Sequence, residues 1–201
     1  MTGSVRATLE TTVTDLSRSI GTFIALVWIA TVVVMVGTGL ADRSPAAGPI
    51  PGELLWVVVF VVAAIGATWL VGDGFDRLGV DPSGVWTFVW LAIVFLPLAF
   101  LPLRVALEAF TTETMLLNAA FALAATVAAG WLAFYGGLER LGLEPDDFIR
   151  VTLYAIALGA LPIAAFVLFD LDWLTTDRVT ATLAGLVQVA ACWFGFTKTV
   201  P

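Results

Sequence analysis

The chain has 201 residues, 60% of them hydrophobic and only 12% charged. A soluble domain is nearer a quarter charged, so an ordinary soluble globule is excluded, as is a disordered chain, which needs low hydrophobicity. Cys192 is the only cysteine, which excludes a disulfide scaffold, and 16 acids against 9 bases argue against nucleic-acid binding through a basic patch.

Residues 1–19 form a leader in which Val5, Leu9, Val13, Leu16 and Ile20 recur at helical spacing. This stripe reads as a short amphipathic helix on the membrane surface or as an extension of the first span. Its polar side is not basic, so strong binding to anionic lipid is not implied. Six stretches then approach the roughly 20 apolar residues that cross a bilayer: Ile20–Leu40, Leu54–Gly72, Val85–Leu103, Leu116–Leu138, Val151–Phe169 and Val179–Phe196. None contains an acid or base. The expected fold is an all-α polytopic membrane protein of six transmembrane helices, with residues 20–201 as the transmembrane domain. The first apolar run exceeds the 7–15 residues of a typical signal core, and it reads as a retained span. Arg6, Arg18, Arg77, Arg140, Arg150 and Lys198 fall on one side, and Arg43, Arg104 and Arg178 on the other. The positive-inside rule then places both termini in the cytoplasm, with the protein in the plasma membrane.

The chain repeats itself. Gly74 to Pro82 reads against Gly137 to Pro145 with every position identical or similar, and Trp69, Trp131 and Trp193 are evenly spaced by 62. Three parallel two-helix units follow, at about residues 20–80, 81–143 and 144–201, and a pseudo-threefold bundle is the natural arrangement. The repeated segment contains Asp76, Arg77, Gly79, Asp81 and Pro82, then Glu139, Arg140, Gly142, Glu144 and Pro145. A tight turn accounts for it. Gly79 and Gly142 suit a left-handed helix end, and Arg77 and Arg140 suit the negative end of the helix dipole. Asp81 and Glu144 stand at the cap of the next helix, with proline at its first position. The alternative is an ion-pair cluster of Asp76, Arg77, Glu139 and Arg140 that docks a partner or gates.

Chemistry is sparse. The chain has no histidine and no charged residue inside a span. That argues against a proton relay, a His-based metal site and histidine-assisted hydrolysis. No catalytic residue, metal or cofactor is indicated, and Cys192 reads as a small packing residue. Three features remain. Pro97 and Pro102 fall in the third span and Pro162 in the fifth; they read either as ordinary kinks, which membrane helices tolerate, or as interrupted helices at matching repeat positions, which point to a transporter site. Trp28, Trp69, Trp90, Trp131, Tyr154 and Trp193 fall at similar depth. They form either an interfacial belt or an inward ring able to cage a flat or cationic ligand. Ala125, Ala129, Ala133 and Gly137 make a small-residue stripe, while Asn118 and Gln188 are the strongest uncharged polar groups in the spans.

Two readings compete: a small permease or membrane subunit of a transporter for an apolar, aromatic or cationic solute, and an assembly subunit acting through helix packing. The bilayer is a partner in both, and other membrane subunits or further copies of the chain are compatible with either. A water-filled cavity between the third, fifth and sixth spans favours the first, and a dry, fully packed bundle favours the second. The acid-rich, Lys-poor loops suit a high-salt cytoplasm, where charge repulsion is screened.

Overall fold

The computed structural model describes residues 2–40 and 51–197, with side chains from residue 12 onward except Asp172 and Thr175. Arg6, Arg43, Lys198 and the side chains of Val5 and Leu9 therefore lie outside the described residues. The helices are α1 (Thr2–Leu40), α2 (Gly52–Leu78), α3 (Pro82–Ala99), α4 (Leu101–Glu108), α5 (Thr114–Phe134), α6 (Gly137–Leu141), α7 (Pro145–Phe169) and α8 (Asp177–Phe196). Among the described residues there is no strand. Six helices, α1, α2, α3, α5, α7 and α8, are long and apolar enough to cross a membrane, so the chain is a multi-pass membrane protein. The leader is continuous with the first span: α1 has 39 residues without a break and a length of about 58 Å at 1.5 Å per residue.

Two expected spans end early. The third stops at Ala99, because Phe100 leaves helical geometry at φ −105° and ψ 14°, and α4 restarts with Pro102 in its first turn. The fourth stops at Phe134, and Gly136 in left-handed geometry (φ 68°) turns the chain into the short α6. Both helices next to proline or glycine also adapt internally. A π-turn over Leu91–Phe95 precedes Pro97, and another over Leu70–Gly74 precedes the first glycine turn. Pro97 and Pro162 behave alike, since α3 runs through the one and α7 through the other; the break falls instead at Phe100, beside Pro102.

The two glycine turns share one geometry. Gly79 has φ 63°, ψ 33° and Gly142 φ 63°, ψ 29°. Val80 N–H bonds the Phe75 carbonyl at 3.1 Å and Leu143 N–H the Leu138 carbonyl at 2.9 Å. These are the long-range bonds of a Schellman end, which satisfy carbonyls the helix leaves open. Gly79→Ala and Gly142→Ala are each expected to cost about 1 kcal/mol, the left-handed penalty for a Cβ, measurable as a lowered unfolding midpoint in detergent. The caps then differ. The Asp81 carboxylate accepts from Ser83 N–H at 2.8 Å. Glu144, the poorer cap, is rescued by a capping box in which Asp147 Oδ2 accepts from Glu144 N–H at 2.7 Å.

Asp81 also carries a pH dependence. The Ser83 backbone N–H, then the Ser83 hydroxyl and weakly Arg18, hold its carboxyl below the ordinary 3.8. A depressed folded-state value means the cap's full contribution is present above pH 3.8 and is lost as pH falls through the lowered value. Asp81→Asn keeps an acceptor and is expected to flatten that part of the stability-against-pH curve.

Packing runs as a row. α1 touches α2, α3 and α5, α3 touches α5 and α7, and α8 packs on α7 and α4. The pairs α1–α2, α3–α5 and α7–α8 each associate, but among the described residues the first pair has no extensive contact with the last. The expected pseudo-threefold closure is therefore absent from these contacts. The reason lies in where the chain is thin. The main core gathers between α1, α3 and α5 around Ala25, Phe88, Leu91, Ala92 and Ala129, with Phe148 from α7. A Cβ at Gly84 would strike the Ala133 backbone carbonyl, so α3 and α5 meet backbone to backbone there. Two indoles tie α1 in: Trp28 donates to Thr126 Oγ1 at 2.9 Å and Trp86 to Ser17 Oγ at 3.0 Å.

Candidate functional site

The aromatic set does not form a cage. Trp131, Tyr154, Trp69, Trp90 and Trp193 are 40–69% exposed, and only Trp28 turns inward, to Thr126. Trp69 and Trp131 have local work: a Cβ at Gly74 would lie 2.9 Å from the Trp69 ring, and one at Gly137 2.7 Å from the Trp131 ring. Each indole thus covers the glycine that precedes its turn. The ion-pair cluster does not assemble either. Among the described residues Arg77 leans toward Asp73 at 3.7 Å, both groups being well exposed, and such a pair contributes little.

Gln188 has a structural answer. It is 7% exposed and reaches from α8 into the break between α3 and α4. Its Oε1 accepts from Leu103 N–H at 3.1 Å and its Nε2 donates to the Ala99 carbonyl at 3.1 Å. Those two groups would bond each other in an unbroken helix. The carboxamide therefore replaces one rung of the ladder, and it leaves the break satisfied in an apolar setting where open backbone groups are costly. Asn118 differs: its Oδ1 is buried without a partner, beside a small pocket of about 260 Å³ between α1, α2 and α5.

A cavity of about 610 Å³ lies where α3, α4, α7 and α8 meet, among the third, fifth and sixth spans. That is within the range of ordinary ligand sites. Its walls are apolar: Leu101 and Val105 from α4, Ile163 and Phe166 from α7, Leu183 and Val187 from α8. Thr180 is the one lining residue with a polar side chain, and its hydroxyl is turned back to the Leu174 carbonyl at 2.9 Å. Among the described residues no charged side chain lines the space.

The local sequence explains the opening. At one end α7 and α8 are in backbone contact, since a Cβ on Gly195 would lie 2.7 Å from Val151 Cα. Ala99, Val151, Ala155 and Ala191, all nearly or fully buried, form a small-residue floor. Toward the other end the small residues face space: a Cβ on Gly159 would meet nothing within 4 Å. Pro102 and Pro162 both line the cleft, and Pro97 does not. Neither a family model, nor a curated protein, nor a solved structure matches the chain. Function has to be argued from this cleft.

Sequence reasoning missed residues that build the site. Gly195 and Val151, whose contact closes one end of the cleft, carry no periodic signal. The prolines Pro102 and Pro162 and the polar Gln188 were visible, but not the fact that they converge on one place.

Proposed function

We propose that this chain is a non-enzymatic membrane protein, a small permease or the membrane subunit of a transporter, whose solute occupies the cleft between α4, α7 and α8. The single supporting observation is the cleft itself, a roughly 610 Å³ space with apolar walls in the place where the broken third span meets the fifth and sixth. Its chemistry narrows the solute to a molecule with a substantial apolar part. The outward aromatics lend no support to a flat ligand caged by stacking.

Native mass spectrometry of the protein in mild detergent tests this. A retained apolar molecule is expected with the unaltered chain and not with Gly159→Phe, which fills the cleft from a position where the added side chain meets open space. Loss of the molecule without loss of fold supports the reading, and retention by both proteins overturns it. An assembly subunit is the second reading. It is favoured by α2, which among the described residues packs extensively only on α1 and leaves Leu54, Val58, Val61 and Ile65 exposed. Co-purifying subunits with an empty cleft select that reading.

We also read the helix pairs as one two-helix unit used three times, supported by the shared geometry of the two glycine turns. The excess of Lys and Arg beside those turns supports termini in the cytoplasm of a plasma-membrane protein.

A further inference from the structure

We propose that the apolar stripe of α1 on the side of the glycine turns is a dimerisation seam, where two copies of this chain pair as a short, parallel, two-stranded coiled coil. The proposal is independent of the cleft.

The level of the stripe comes first. Trp86 donates to Ser17 Oγ at 3.0 Å, and a Cβ on Gly21 would lie 3.0 Å from Val85. Ser17 and Gly21 are therefore level with the first turns of α3, which starts at Pro82 just after the Gly79 turn. Asp76, Arg77 and Asp81 stand exposed at this end of α2 and α3, which marks it as the wet end. The helix before Ser17 carries on past that level. From Thr2 to Leu16 it is unbroken, about 22 Å at 1.5 Å per residue. A helix lying flat on the bilayer would have to break where it enters the span, and α1 runs through that point as one α-helix.

Val13, Leu16 and Ile20 are 65%, 59% and 46% exposed. Within the bilayer such exposure is cheap, because lipid is as apolar as the side chain. In water it drives association. The side of α1 that meets its own bundle carries Gly21, Thr22 and Ala25, the last two buried. At 3.6 residues per turn the stripe lies on a different face, so the bundle does not cover it.

The stripe's own residues say what does. Heptad numbering puts Val13 and Ile20 at a, and Leu9 and Leu16 at d. β-branched residues at a with leucine at d favour two parallel strands. A second copy supplies that direction without further demand, since both copies cross one membrane the same way and their α1 helices emerge parallel. Charge also admits an identical partner. The flanking e and g positions between Thr12 and Ser19 hold Thr12, Ser17 and Ser19, none of them charged, while Asp15 and Arg18 fall at c and f, away from the seam. Glu10, at e, is matched with Val5 at g of the other copy and not with its own duplicate. The seam ends at Arg6, the preceding a position, where like charges would meet.

The test uses the full chain in phosphatidylcholine vesicles, with Cys192→Ala to remove the native thiol and one new cysteine at a time. Oxidation with copper phenanthroline is expected to link two chains in Val13→Cys and Leu16→Cys, and about tenfold less in Asp15→Cys, because a disulfide needs Cα atoms within about 7 Å. Adding Leu16→Lys to the Val13→Cys chain is expected to abolish the linked dimer. Leu16 is exposed in the single chain, so its thermal unfolding midpoint in detergent under dilute, monomeric conditions stays unchanged. Single-molecule photobleaching of the Asp15→Cys chain, labelled with a fluorophore in the same vesicles, is expected to show two steps per particle. Equal linking from all three cysteine positions, or a dimer that survives Leu16→Lys, overturns the seam. One bleaching step per particle, or three and more, overturns the two-stranded pairing.

Discussion

Gln188→Leu is expected to destabilise the protein by roughly 2–6 kcal/mol, the cost of leaving two backbone groups, each of about 1–3 kcal/mol, unpaired in an apolar setting. The groups are Leu103 N–H and the Ala99 carbonyl. Neither has another partner on offer, because the helix that would join them is broken at Phe100 and Pro102 has no N–H to give. Gln188→Met separates the bridge from mere packing. It keeps length and volume and is expected to lose nearly as much as leucine. Chemical or thermal unfolding in detergent provides the measurement. If the methionine variant is as stable as the unaltered protein, the bridge contributes nothing. The same substitution bears on function, since Gln188 sets where α4 leaves α3 and so holds one wall of the cleft.

Gly195→Ala is the second large effect. Its new Cβ would lie 2.7 Å from Val151 Cα and 2.8 Å from Val151 N. Both are backbone atoms, so no rotamer change relieves the contact, and α8 has to move. Overpacking of this kind costs about 1–3 kcal/mol. The control is Gly159→Ala on α7, where the added methyl meets nothing within 4 Å. It is expected to leave stability unchanged or to raise it by up to about 1 kcal/mol through helix propensity. Equal midpoints for the two variants would refute the close α7–α8 contact. The shift imposed by Gly195→Ala also widens the floor of the cleft, so the shape of the solute site depends on a contact at its closed end.

The glycine turns were legible because every requirement is local. A helix end, a left-handed residue and a proline after the cap lie within nine residues, and each has a side-chain signature. Asp81 and Gly79 behave as their identities require. The six spans were legible for a similar reason, since length and apolarity alone decide whether a helix can cross a bilayer.

Three things depended on contacts between distant segments. The choice between an aromatic belt and an inward ring was open because equal depth does not specify which side of a helix a residue occupies; five of the six side chains are exposed, as in the belt alternative. Neither Pro97 nor Pro162 breaks its helix, because a proline interrupts a helix only when its surroundings accept the break. At Phe100, beside Pro102, a carboxamide from α8 accepts one, while α3 runs through Pro97 and α7 through Pro162. A closed ring of pairs is not seen among the described residues, where α2 packs extensively only on α1.

The sequence by itself determined the class, the number of spans and the local chemistry of the turns, all of which depend on composition or on neighbours in the chain. Only the tertiary structure decided that Gly195 and Val151 touch while Gly159 faces space, and thereby that a cleft exists. The physical reason is that lipid is as apolar as the helix surfaces, so hydrophobicity does not say which faces pair. That choice falls to close packing and to a few buried hydrogen bonds, which form between residues far apart in the chain.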